Sequence, residues 1–280
     1  MNNIIFTLSL ILIAWVIFYM AANILKLQRF GLEMHPLYAL YKSTKLNAFL
    51  ERLGHSSPRL WRVIGDMGVV TTIGEVVFMT YILFLNLYRF VFVPERASPV
   101  VPLIPGVTIR TESLPWFLAA AGFVILVHEL SHGVQCVIED VKIRSSAVLL
   151  AIITFGGAVE PDEESMEAAN GMSQMRIFAS GSFTNLVTGL LLIVIFSFFG
   201  GSLPDALSTF MQWLYFLSVN LALVNMLPIY PLDGGQMMKT FVASMRGKGV
   251  ILQRVAMYGF LALVASNLVL SLIRFGLIPI

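Results

Sequence analysis

The chain has 280 residues, 58% hydrophobic and only 12% charged, where a typical soluble domain carries roughly a quarter charged residues. That composition, with a mean hydropathy of +0.84, excludes an ordinary soluble enzyme and implies a polytopic membrane protein. A formal net charge of +2 and a single cysteine exclude a basic nucleic-acid-binding surface and an intramolecular disulfide framework.

Six stretches are apolar and long enough to predict membrane-spanning helices: Asn3 to Leu25, Met67 to Val93, Leu114 to Val137, Ile177 to Phe199, Leu207 to Leu227 and Val250 to Ile273. No cleavable signal is expected at Met1-Asn2-Asn3, which lacks a positive charge and precedes an apolar run too long for a signal core. The segment Lys26 to Arg62 is the one sizeable stretch that reads as water-facing. His35 and His55, within it, read as ordinary surface residues.

Lysine and arginine positions predict the orientation. With the N-terminus outside, fourteen of the eighteen basic residues fall at the cytosolic face, leaving Arg89, Arg96, Arg110 and Arg274 outside. Both termini are then expected outside the cytosol.

The third span carries His128-Glu129-Leu130-Ser131-His132-Gly133. Helical residues at i and i+4 share a face, so both imidazoles can hold one zinc ion, with Glu129 beside them to take a proton from an attacking water. Two histidines and a glutamate inside a span are costly unless they serve a site. Fifteen residues separate Ser113 from His128, about 22 Å of helical rise in a hydrocarbon core about 30 Å thick. The site is therefore expected below the cytosolic surface, at lipid depth.

After this span, Ser145 to Val159 runs fifteen residues without a charge and ends near Gly156-Gly157. It is short for a span and reads as a re-entrant, β-type piece that protein must cover, or as an interfacial helix.

Catalytic zinc sites use three protein ligands. The strongest candidate for the third is Asp233, in Asn225-Met226-Leu227-Pro228-Ile229-Tyr230-Pro231-Leu232-Asp233-Gly234-Gly235. Pro228 and Pro231 end the fifth helix at the depth of the histidines, and the two glycines permit a tight turn. Cys136 and the acidic pair Glu160 and Asp162 are rivals for that role, and Asp233 also reads as a plain helix cap. Glu75, in the second span, is read as lying near the interface, with a water entrance or a protonated acid as the alternatives. Asn86, Gln135, Asn220 and Asn267 read as groups that tie helices together.

HELSHG in one span and NMLPIYPLDGG two spans later together resemble the site-2 protease family of intramembrane metalloproteases, over about Leu114 to Gly235. The resemblance implies one zinc held by His128, His132 and Asp233, with Glu129 as catalytic base. The family's Gly-x-x-x-Asn element is similar to Gly181-Ser182-Phe183-Thr184-Asn185, implying that Asn185 binds substrate backbone, while the residues alone fit an interhelical hydrogen bond equally well. Its membrane-inserted β-hairpin is similar to the Ser145–Val159 segment, where Gly156 and Gly157 join the implied substrate-binding set. One departure is plain: only Gly200 to Asp205 join the fourth and fifth spans, leaving no room there for the PDZ domain many members carry.

The expected architecture is therefore an all-α polytopic membrane protein: N-terminal spans over 1–113, a catalytic core over 114–235 and a last span within 236–280. The expected partners are lipid and transmembrane protein substrates, cleaved near their cytosolic end in regulated intramembrane proteolysis. A zinc transporter or sensor, or a non-catalytic helix binder, are the alternatives.

Overall fold

The computed structural model describes residues 2–42, 44–151, 155–245 and 248–277. Among them, α1 spans Asn2–Ile24, α2 Thr44–Ser56, α3 Pro58–Phe92, α4 Leu114–Ile138, α5 Glu163–Ala168, α6 Gly171–Phe199, α7 Asp205–Asn225, α8 Asp233–Val242 and α9 Lys248–Phe275. The helices α3, α4, α6, α7 and α9 are each long and apolar enough to cross a membrane. Within α1, over the first expected span, Leu12–Ile24 forms a further apolar helix shorter than these five. The protein is a helical polytopic membrane protein.

Helix ends follow local chemistry. Asn170 caps α6 by accepting from the Ser173 backbone N–H at 3.0 Å, and Pro58 occupies the first turn of α3. Both helices begin before their expected spans, α3 at Pro58 rather than Met67 and α6 at Gly171 rather than Ile177. Hydropathy detects only the lipid-facing length, whereas the helical backbone runs on into polar sequence.

On the N-terminal side of His128 along α4, the helices α4, α6 and α7 share an apolar core that includes Phe117, Ala120, Val124, Leu192, Trp213 and Leu214. The rings of Phe117 and Trp213 meet edge to face at 5.2 Å. Asn86 of α3 donates to Asn267 of α9 at 3.0 Å, so these two amides do tie helices. Asn220 instead donates to Phe216 of its own helix. At the other end of the bundle, Arg176 of α6 donates to Asp66 of α3 at 2.8 Å and to Glu139, just past α4, at 3.2 Å. Gln135 donates to the same Glu139 carboxylate at 3.2 Å, and the Ser173 hydroxyl donates to its other oxygen. This network clamps α3, α4 and α6 one turn beyond His132.

Glu75 departs from expectation. It lies in the middle of α3, only 4% exposed to solvent, and neither carboxylate oxygen has a hydrogen-bond partner. Two turns before it, Gly68 packs on Ala179 and Phe183 of α6, which places Glu75 inside the bundle rather than at its rim.

The expected re-entrant segment is a β-hairpin within a four-stranded antiparallel sheet ordered β1-β2-β3-β4, formed by Leu32–Met34, Tyr38–Lys42, Ile143–Ala151 and Phe155–Pro161. β2 pairs with β3 from Tyr38↔Ala151 to Lys42↔Ala147, and β3 with β4 from Ser145↔Glu160 to Leu150↔Phe155. Part of the polar segment 26–62 is thus built into the sheet. The centre of the hairpin, 152–154, lies outside the described residues. α2 docks on the C-terminal end of α4 through fully buried Leu50, which sits against Gly133, Val134 and Ile138.

Candidate metal centre

The cluster forms where α4, α6, α7 and α8 converge. His128 and His132 are one turn apart on α4 and both are buried. Asp233 opens α8, after the chain leaves α7 and passes Pro228 and Pro231. Gly234 and Gly235 do not make the expected tight turn. They lie in the first turn of α8, where a Cβ would come within 2.2 Å of the Met226 carbonyl oxygen and 2.6 Å of the Ile229 carbonyl carbon. The glycines let α8 press onto the unwound strand before it, which delivers Asp233 to the histidines.

The three donor atoms form a near-equilateral triangle. His128 Nε2 is 3.1 Å from His132 Nε2, and Asp233 Oδ2 is 3.2 and 3.3 Å from these two nitrogens. Zinc ligands at about 2.0–2.1 Å in tetrahedral array stand about 3.3 Å apart, so the triangle fits zinc. Asp233 Oδ2 is buried, and despite its nearness to both rings no contact it makes has hydrogen-bond geometry. Two imidazole nitrogens and a carboxylate oxygen, each able to offer a lone pair, converge here as a cation requires.

Each imidazole is also held from behind. His132 donates from Nδ1 to the Ile177 carbonyl at 2.7 Å. His128 Nδ1 lies 3.0 Å from Asn185 Nδ2. Gly181 stands between these two contacts on α6, and a Cβ there would come within 2.5–2.7 Å of the histidine rings. The Gly-x-x-x-Asn element therefore makes room for both rings and backs one of them.

Glu129 faces a cavity of about 240 Å³ lined by His128, His132, Val159, Pro161, Ile177, Phe178, Asn225, Pro231, Leu232 and Asp233. Its Oε2 accepts from the Val159 N–H at 3.0 Å. That contact puts the outer edge of β4, the end strand of the sheet, beside the Glu129 carboxylate and the cavity, with Gly156 and Gly157 further along the same strand, paired with Leu149 and Val148. Asn225 was not singled out from sequence as a site residue, yet its Nδ2 lies 3.1 Å from His128 Nε2 and it lines the cavity. Its position eight residues before Asp233, at the last turn of α7, was the available signal.

The rivals for the third ligand are occupied elsewhere. Cys136 is fully buried among Val141 and Ile177. Glu160 pairs with Arg144 at 3.6 Å and accepts from the Ser145 hydroxyl at 2.7 Å. Asp162 caps α5 by accepting from the Ser165 N–H at 3.0 Å. Neither His35, stacked on Tyr38, nor His55, bonded to the Glu51 carbonyl, approaches the cluster.

A polytopic membrane fold enclosing a buried His-His-Asp cluster beside a carboxylate defines the class as membrane-embedded metalloprotein. The sequence matches the profile of peptidase family M50 over residues 116–208 and 202–269, more than half of the chain, and the protein belongs to that family. It is similar to a membrane-bound transcription factor site-2 protease homolog of Arabidopsis thaliana, 24% identical over 72% of this chain and 38% of that protein. An uncharacterized protein of Methanocaldococcus jannaschii is 26% identical over 67% of this chain and 49% of its own length. A zinc metalloprotease of the same organism is 24% identical over 63% and 48%. The chain thus spans half or less of the length of these relatives.

Proposed function

We propose that this protein is a zinc metalloendopeptidase that hydrolyses peptide bonds within transmembrane segments of membrane-protein substrates, near their cytosolic end. The observation that carries this reading is the donor triangle of His128, His132 and Asp233, with sides of 3.1–3.3 Å, opening onto a cavity that Glu129 shares. These three residues would hold the ion. Bound there, zinc supplies Lewis acidity toward the scissile carbonyl and lowers the pKa of water.

The protein's own groups do the rest. A helical substrate bond is protected by its i to i+4 hydrogen bonds, so it must unwind before attack. The unwound segment adds as a strand to the free edge of β4, which runs beside Glu129. Lipid offers no partners to freed backbone groups, and this edge does. Glu129, held through Oε2 by Val159, takes the proton from water on its other oxygen and delivers it to the leaving amine. Asn225, which lines the same cavity, would turn its Nδ2 from His128 to donate to the carbonyl oxygen as negative charge develops on it.

A transporter would need polar groups leading outward from the ligands. The α4–α6–α7 interface on that side is instead the apolar core of Phe117, Val124, Leu192 and Trp213. Pairing of β2 with β3 brings Lys42, which ends β2, to the same sheet as Lys142 and Arg144 at the start of β3, which supports a cytosolic placement of that face and termini on the other. Cysteine labelling of engineered sites in intact and permeabilised cells tests the orientation. For the activity, single-span substrates co-expressed with wild-type protein should yield a fragment that Glu129→Gln does not produce. A fragment of equal yield from both would refute the assignment.

A further inference from the structure

The two imidazoles are backed by groups of different kind. The Ile177 carbonyl can only accept, so His132 carries its hydrogen on Nδ1 and turns the Nε2 lone pair toward Asp233. At His128 the corresponding partner is the Asn185 side chain, one amide atom of which lies 3.0 Å from Nδ1. The helices run antiparallel, so His132 meets Ile177 and His128 meets Asn185 two turns further along α6, on either side of Gly181.

An imidazole that gives Nε2 to a cation keeps its proton on Nδ1, and a buried N–H needs an acceptor. Among the described residues, Asn185 is the polar group within reach of His128 Nδ1. Amide oxygen and nitrogen are close in size, and a half-turn of the amide brings Oδ1 to Nδ1–H. Oδ1 is otherwise a buried oxygen without a partner. One amide atom stays unpartnered in either orientation, so the bond to His128 decides which way the group faces. Asn185 is also only 1% exposed and is not among the residues that line the cavity, so a strand lying in that cavity does not meet its amide.

We propose that Asn185 is a positioning residue whose amide oxygen accepts the Nδ1–H of His128 and fixes that ring with Nε2 toward Asp233, rather than a group that touches substrate. The proposal rests on the metalloprotease reading of the centre. It explains the spacing of the Gly181–Asn185 element: the glycine admits both rings and the asparagine, one turn later, orients one of them.

The test uses the purified full chain and measures zinc affinity by chelator competition, alongside cleavage at limiting and saturating zinc. Asn185→Ala removes the acceptor and should weaken zinc binding about 10–100-fold, the usual effect of losing a group that orients a ligand. Saturating zinc should restore most of its cleavage. Asn185→Asp keeps an acceptor at the same atom and should hold zinc within a few-fold of wild type. Should the alanine variant fail to fold, Asn185→Leu keeps the volume and carries the same expectation. A direct substrate contact gives the opposite pattern: unchanged zinc affinity in Asn185→Ala, with cleavage still slow at saturating zinc. That result, or an aspartate variant as weak in zinc as the alanine, overturns the proposal and leaves the metalloprotease reading intact. If wild type itself binds no zinc, the reading falls and this proposal falls with it.

Discussion

Gly181→Ala probes the centre through packing alone, without removing any donor. The added Cβ would stand 2.5 Å from His132 Nε2, 2.6 Å from His128 Cε1 and 2.7 Å from His128 Nε2. Comfortable separations are about 3.5–4.0 Å, so each ring must retreat by roughly 1 Å. Metal sites tolerate deviations of about 0.2 Å in ligand distance, so both nitrogens leave bonding range together. We expect at least a 100-fold loss of zinc affinity, about 2.7 kcal/mol, with cleavage falling in parallel. Overpacking also costs stability, about 1–3 kcal/mol, so the assay pairs chelator competition with thermal unfolding of the metal-free forms. Gly74→Ala on α3 is the control, since nothing lies within 4 Å of its added Cβ. A Gly181→Ala protein that binds zinc as tightly as wild type would refute this account of the ring positions.

Glu129→Gln should keep its zinc while cleavage falls about 10²–10⁴-fold, the range for a lost general base; metal analysis and fragment yield on one preparation check both halves. Asp233→Ala should lose zinc and activity together, whereas Cys136→Ala, which trims a core side chain, should bind metal normally and lose no more than about 1–2 kcal/mol of stability. Val159→Pro deletes the N–H that holds Glu129 Oε2, a charge-assisted bond of about 1.5–3 kcal/mol, and should slow cleavage about 10–100-fold with zinc content unchanged. Zinc loss in that variant would show that β4 supports the ligands rather than the base.

The sequence disclosed the parts of this site that depend on local geometry. His128 and His132 were legible because helical spacing alone puts i and i+4 on one face. Asp233 was legible because two prolines must unwind α7. The role of Gly234 and Gly235 was not, since what they touch, the Met226 and Ile229 backbone, is set by how α8 folds back. β1 and β2 were hidden for a related reason: three and five residues carry little periodicity, and β2 acquires its partner β3 about a hundred residues later. Glu75 was placed at the interface because a lone carboxylate in a span is expensive, yet the structure keeps it inside the bundle, and nothing in the structure explains its unpaired oxygens. Asn185 could be paired with substrate or with a helix from sequence; only the antiparallel packing of α4 and α6 brings it to His128.

The central claim, zinc-dependent hydrolysis within the bilayer, is tested most directly with purified protein and a single-span substrate in the same liposomes. Mass spectrometry of the products, after zinc removal by chelator and after zinc is restored, reads the cut site and its metal dependence together. The account predicts one cut in the substrate's span near the end that shares a face with β4, lost on chelation and regained with zinc. A cut that persists without zinc, or one confined to sequence outside the membrane, would contradict it.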